Sequence, residues 1–211
     1  MAQFGRRPNL EEARITRAFR QDVRSGAPAR LPIFRSHLQG ELLARLLLGP
    51  EREVSMLDLA VMLRTDLASV MREVARLARA DLLTLRRTLA GSLVTRNTES
   101  PLYGPLARLL MLTFGPAAVV AEEFGVLRAV HELYLFGPWA DRCNGVPGDQ
   151  PADVEVLVIG EVPCDAAHDA AQEAAARLGL PVHPVVRTQP EWFDDTDPFL
   201  REIRSGSLLR L

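Results

Sequence analysis

The spacing of apolar positions changes along the chain, and each change marks a new element. In FRSHLQGELLARLLLGP, Leu42, Leu43, Leu46 and Leu47 recur at helical spacing until Gly49 and Pro50 stop the run, which predicts a core helix. Ser55 stands where a second helix would be capped; in that helix, MLDLAVML, Leu57, Ala60 and Leu63 share a face. Arg64, Thr65 and Asp66 make a turn. A third helix is expected from Leu67 to about Arg79. Leu67, Val70, Val74, Leu77 and Ala78 form its apolar stripe, while Ser69, Arg72, Arg76 and Arg79 lie about half a turn away. In LLTLRRTLAGSLVTRN the period falls to two on either side of Ala90 and Gly91, as in a β-hairpin.

Beyond the hairpin, Ser100 and Pro101 read as an N-cap and first turn leading into an apolar helix with Leu106, Leu109, Leu110 and Leu112. Gly115 and Pro116 restart a helix carrying Val119, Val120 and Phe124. Strands and helices then alternate. Strands are expected over His131–Phe136, Val154–Ile159 and Pro181–Val186, with a loop after the first. Asp165 is read as capping an Ala-rich helix that runs to Leu178 and ends at Gly179, and Asp197 with Pro198 as starting a last helix through Arg204. The chain is therefore expected to be α/β overall. Its expected parts are an extension over 1–30, a helical domain with a β-hairpin over 31–98, connecting helices over 99–130 and an α/β domain over 131–211. In the extension, Leu10, Ile15, Phe19 and Val23 make a ragged apolar stripe among arginines.

Composition narrows the class. The 211 residues are 47% apolar and 25% charged, as in soluble globular proteins. The most apolar stretch, Leu109 to Ala121, is interrupted by Gly115 and Pro116 and is shorter than the roughly 20 residues a membrane span needs. The N-terminal arginines lead into no apolar core of a secretory signal, so the expected location is the cytoplasm. Charge is divided unevenly. Residues 1–110 hold 18 Arg against 11 acids, a net +7, and residues 111–211 hold 7 Arg against 16 acids, a net −9. A basic half of this kind suits double-stranded DNA, and it would also suit an acidic partner protein. Cys143 and Cys164 form no CxxC or Cys/His cluster, and His37, His131, His168 and His183 are scattered, so the spacing carries no thiol-based metal site.

The order helix, helix, turn, helix and hairpin, with the runs DLA and REVARLARADLL, resembles the winged helix-turn-helix of ArsR-like bacterial transcriptional regulators over about 31–97. That resemblance implies a homodimer that places two third helices in successive major grooves, with the wings near the minor groove or backbone. On this reading Thr65, Ser69, Arg72, Arg76 and Arg79 face DNA from the helix, and Arg86, Arg87 and Arg96 from the wing. The family's cysteine motif on the third helix is missing here.

YLFGPWADRCNGVPGDQPADVEVLVIG carries the second resemblance. An apolar strand ends at Gly137, and a second strand opens with Asp153 and Glu155 one residue apart. Together with the alternating elements of 131–211, this is similar to the minimal nucleotidyltransferases that serve as antitoxins and drug-modifying enzymes. The family pattern has a Gly-Ser pair gripping the triphosphate and an Asp-x-Asp pair holding magnesium. Pro138 stands at the Ser position and Glu155 at the second Asp. Pro138 removes a hydroxyl and a backbone N–H, and PVHPVV offers His183 where a third carboxylate is expected. Three readings stay open. The domain is a scaffold for sensing or assembly with no catalytic residue and no cofactor; or it binds a nucleotide through Gly137, Trp139 and Arg142, with Mg2+ on Asp153 and Glu155; or it is an active, antitoxin-like transferase, with Asp153 and Glu155 catalytic, that modifies a partner protein and autoregulates its operon.

Overall fold

A computed structural model describes residues 34–89 and 91–211. The stripe expected in the first thirty residues and the turn residue Ala90 lie outside the described residues. Residues 41–211 form one compact unit.

The described chain opens with α1 (His37–Leu48), β1 (Val54–Ser55), α2 (Met56–Met62), α3 (Leu67–Arg79), β2 (Leu83–Thr88) and β3 (Gly91–Arg96). All three strands are antiparallel, in the order β1-β3-β2. Helices and hairpin arise where the spacing predicts, because each stripe is buried: Leu42, Leu43, Leu46 and Leu47 of α1, Leu59 and Ala60 of α2, and Val70, Val74 and Leu77 of α3. Ser55 caps α2 through its hydroxyl, accepting from the Asp58 N–H at 3.0 Å. Two corrections concern the faces. Leu57 of α2 and Leu67 of α3, both expected inside, are exposed; each stands in the first turn of its helix, ahead of the buried residues.

Then follow α4 (Tyr103–Thr113), α5 (Pro116–Phe124), β4 (Val130–Phe136), α6 (Gly137–Cys143), β5 (Val154–Gly160), α7 (Cys164–Leu178), β6 (Val182–Arg187), α8 (Gln189–Trp192), α9 (Pro198–Ser205) and β7 (Leu208–Arg210). The helix expected to start at Pro101 begins at Tyr103, because Ser100 closes a turn instead, its carbonyl accepting from the Tyr103 N–H at 3.0 Å. The segment after β4 is not all loop: Pro138, needing no amide partner, opens α6. The N-cap of α7 is Pro163, and Asp165 sits inside the first turn.

The second sheet has the order β6-β5-β4-β7, with β4 antiparallel to both neighbours and β5 parallel to β6. Both of its faces are covered, which explains why VEVLVIG is almost continuously apolar. Val154, Val156 and Val158 share a core with Val119, Val120 and Phe124 of α5 and with the alanines of α7. Leu157 and Ile159, on the other face, meet Trp192, Leu200 and Ile203 of α8 and α9. Tyr103–Phe124 is long and apolar enough to cross a membrane by length and composition. Here it is two helices broken at Gly115, and Leu110, Met111, Val119, Val120 and Phe124 are buried.

Candidate nucleic-acid interface

Helix α3 is built to hold one face outward. Asp66 caps it, accepting from the Ser69 N–H at 2.8 Å. Val70, Val74 and Leu77 anchor the opposite side at no more than 4% exposure. The outermost stripe is Ala68, Arg72, Ala75 and Arg79, with Met71 beside it. Alanines alternating with the two arginines leave the backbone able to approach a flat or grooved surface closely.

The remaining expected DNA contacts separate into groups. Ser69 donates its hydroxyl to Asp66 at 2.6 Å and accepts from Arg72 at 2.9 Å, so it is a capping residue that also props Arg72. Thr65 is half-buried in the turn, its N–H donating to the Ala60 carbonyl. Arg76 lies on the flank and ion-pairs with buried Glu73. In the wing, Arg87 is exposed and makes no ion pair with any described residue. Arg86 is exposed too, but it grips Glu53 through both Nε, at 2.6 Å, and its terminal nitrogen.

Arg96 corrects the expectation outright. Its side chain is only 8% exposed. It donates to the carbonyls of Gly49 at 2.7 Å and Leu47 at 3.4 Å and lies 6.0 Å from the Tyr103 ring centroid. It therefore satisfies carbonyls that the end of α1 leaves open, and is a structural residue rather than a phosphate contact. Nothing in the spacing of LVTRN distinguishes it from Arg87.

The acidic pair of the second sheet lies on the face covered by α8 and α9. Glu155 is in register with Phe136 on one side and His183 on the other. Asp153 lies 3.6 Å from His183 Nε2. Gly137 has φ +66, and a Cβ there would fall 1.9 Å from Glu155 Oε2, so the Glu155 carboxyl folds back over the glycine at the end of β4. Burial, then the charge of Asp153, pushes the Glu155 carboxyl above its usual range, with His183 opposing. Trp139, expected among nucleotide contacts, is 2% exposed in the core and offers no stacking face. Arg142 donates to the Gly148 carbonyl at 2.9 Å.

These residues do not fit a magnesium triphosphate. The open side of Gly137 is filled by a carboxyl, Pro138 brings no N–H, and β6 faces the pair with His183. Among the described residues no group of three His, Cys, Asp or Glu is placed to hold a metal ion.

The first half thus has the element order and strand pairing of a winged helix-turn-helix, with its third helix turned outward. Among solved structures, the chain is similar to the PcaV transcriptional regulator from Streptomyces coelicolor in complex with its natural ligand, at 20% identity, with 60% of this chain and 91% of that one covered and a TM-score of 0.28. No protein-family model and no curated protein matches the chain. The winged helix is assigned on its own element order and pairing.

Proposed function

We propose that this protein is a DNA-binding transcriptional regulator of the ArsR-like kind, acting as a homodimer on duplex DNA, with the 131–211 domain serving regulation or assembly. The observation that carries the reading is the outward stripe Ala68, Arg72, Ala75 and Arg79 on a capped and anchored α3, beside the exposed Arg87 of the wing. Arg72 and Arg79 read base edges, and Arg87 contacts phosphate. A homodimer is supported by Leu102 and Leu112, both exposed, just before and near the end of the otherwise apolar α4, which give a second copy a face to cover. The misfit of Gly137, Glu155 and His183 to a triphosphate favours the non-catalytic use of the second sheet over the antitoxin-like transferase.

The test is binding of the full chain to the DNA upstream of its own gene and to a random duplex of equal length, each across a salt series. Preference for the upstream duplex, lost on Arg72→Ala, supports the reading. Equal, weak and purely salt-driven binding to both duplexes by wild type sinks it.

A further inference from the structure

The face of α3 that points away from the core carries more than arginines. Leu67 and Met71 lie one turn apart along one flank of the outward stripe, 41% and 50% exposed. Neither belongs to the buried core, which α3 reaches through Val70, Val74 and Leu77. With Ala68 and Ala75 they make a narrow apolar strip beside Arg72. Such a strip, set next to fixed cations, suits a surface that is anionic at its rim and apolar at a few defined points. The polar side chains of α3 restrict the choice further. Its sequence, LASVMREVARLAR, holds no Asn, Gln or Asp, and its one Glu, Glu73, is buried and ion-paired with Arg76. Ser69 is engaged with the Asp66 cap and with Arg72. The outward face therefore offers guanidinium donors and apolar groups, and neither a carboxylate nor an amide. In the major groove guanidinium donors pair with guanine O6 and N7, amides read adenine, carboxylates read cytosine, and an apolar group meets the 5-methyl of thymine.

We infer that Met71, supported by Leu67, is a specificity-determining residue that seats the 5-methyl group of a thymine next to the guanine paired with Arg72. The inference rests on the proposed function and narrows it, since it says which bases a half-site must present. One residue advances the helix by about 1.5 Å and turns it by about 100°, against about 3.4 Å for a base-pair step, which puts Met71 within reach of the base pair adjacent to the one Arg72 reads. Thymine and uracil differ in this methyl alone. The contact is therefore separable from the guanidinium and phosphate contacts without removing a hydrogen bond.

The test uses the full chain and the duplex upstream of its own gene, prepared once with thymine and once with uracil throughout, with binding read by fluorescence anisotropy. Burying one methyl group is worth about fourfold in affinity, so two symmetric half-sites predict about fifteenfold weaker binding of wild type to the uracil duplex. Met71→Ala and Met71→Gln, the second equal in length but polar, should bind the thymine duplex about as weakly as wild type binds the uracil one. Both should then lose less than about twofold on the change to uracil, because the contact is already gone. Met71 is exposed, so neither variant touches the core; an unchanged thermal midpoint checks this, and either variant alone completes the comparison. Equal binding of wild type to the thymine and uracil duplexes, or a thymine preference kept by the variants, overturns the inference. A preference for the upstream over the random duplex that persists in that case leaves the proposed function standing. Dissociation of the homodimer by Met71→Ala, read by sedimentation velocity, would assign the strip to a second copy of the chain and overturn the inference as well. Equal, weak binding of wild type to upstream and random thymine duplexes sinks the proposed function, and this inference falls with it.

Discussion

The outer face of α3 and the acidic end of the second sheet both present charged side chains where the sequence marks chemistry, yet they are built in opposite ways. On α3 the cap at Asp66 and the buried stripe of Val70, Val74 and Leu77 fix the helix, and small Ala68 and Ala75 leave Arg72 and Arg79 to solvent. At the sheet, Glu155 is turned onto the backbone of its own domain over Gly137. An arginine held out is ready to meet an outside partner. A carboxyl turned back over its own backbone meets an outside ligand only after it swings away.

The largest expected effect breaks the second half of that contrast. Gly137→Ala forces an L-residue to φ +66, at about 1–3 kcal/mol, and drives a methyl toward the Glu155 carboxyl, whose flexible end must swing aside. Denaturant unfolding should show a loss of about 1–3 kcal/mol. Adding Glu155→Ala should recover the steric share; no recovery would mean that Glu155 does not rest on the glycine in solution.

On the other side of the contrast, Arg72→Ala should weaken binding to the upstream duplex by about 1–3 kcal/mol and shrink its preference over random DNA, read by fluorescence anisotropy. Asp153→Ala should leave both affinities unchanged. An equal loss on both duplexes from Arg72→Ala would move that arginine from bases to phosphates.

A finer division runs through the wing itself. Arg96→Ala strips hydrogen bonds from the carbonyls of Gly49 and Leu47 and should cost about 1–3 kcal/mol of stability. Arg87→Ala should change stability by less than about 0.5 kcal/mol, and should lower the slope of log affinity against log salt by about 1. Thermal unfolding and a salt titration on the two variants separate the roles.

That division also shows what was legible in the sequence. The limits of α3, the hairpin and the apolar runs of β4 and β5 follow from period and caps, which are local. The role of Arg96 depends on α1, a helix that ends 48 residues earlier in the chain, and the fate of Glu155 depends on a glycine across a strand pair. No spacing rule carries such contacts. Short β1, α8 and β7 escaped because two to four residues hold no period, and α6 because Gly137 and Pro138 read more readily as a turn than as a helix start. Arg45 and Arg177 look like solvated helix charges until α7 is seen to end against α1. The candidate DNA face was thus partly legible, down to Arg72 and Arg79, whereas the sheet motif showed its residues but not their use.

The smallest effect tests the sheet end by pH. The folded state raises the Glu155 carboxyl pKa through burial and the charge of Asp153, with His183 opposing, so the fold favours the protonated form. The sign follows from linkage: the contribution of Glu155 is fully present below the ordinary carboxylate range and is lost as pH rises through the raised value. Glu155→Gln keeps the shape and removes the charge. Its stability relative to wild type should therefore improve from acid toward neutral pH and level off once wild-type Glu155 is ionised. The group is mostly solvent-screened, so the gain is small. A flat difference across the range would place the carboxyl in open water, and a difference of opposite sign would mean that its ionised form is held by a partner, which is what a working cation site would require.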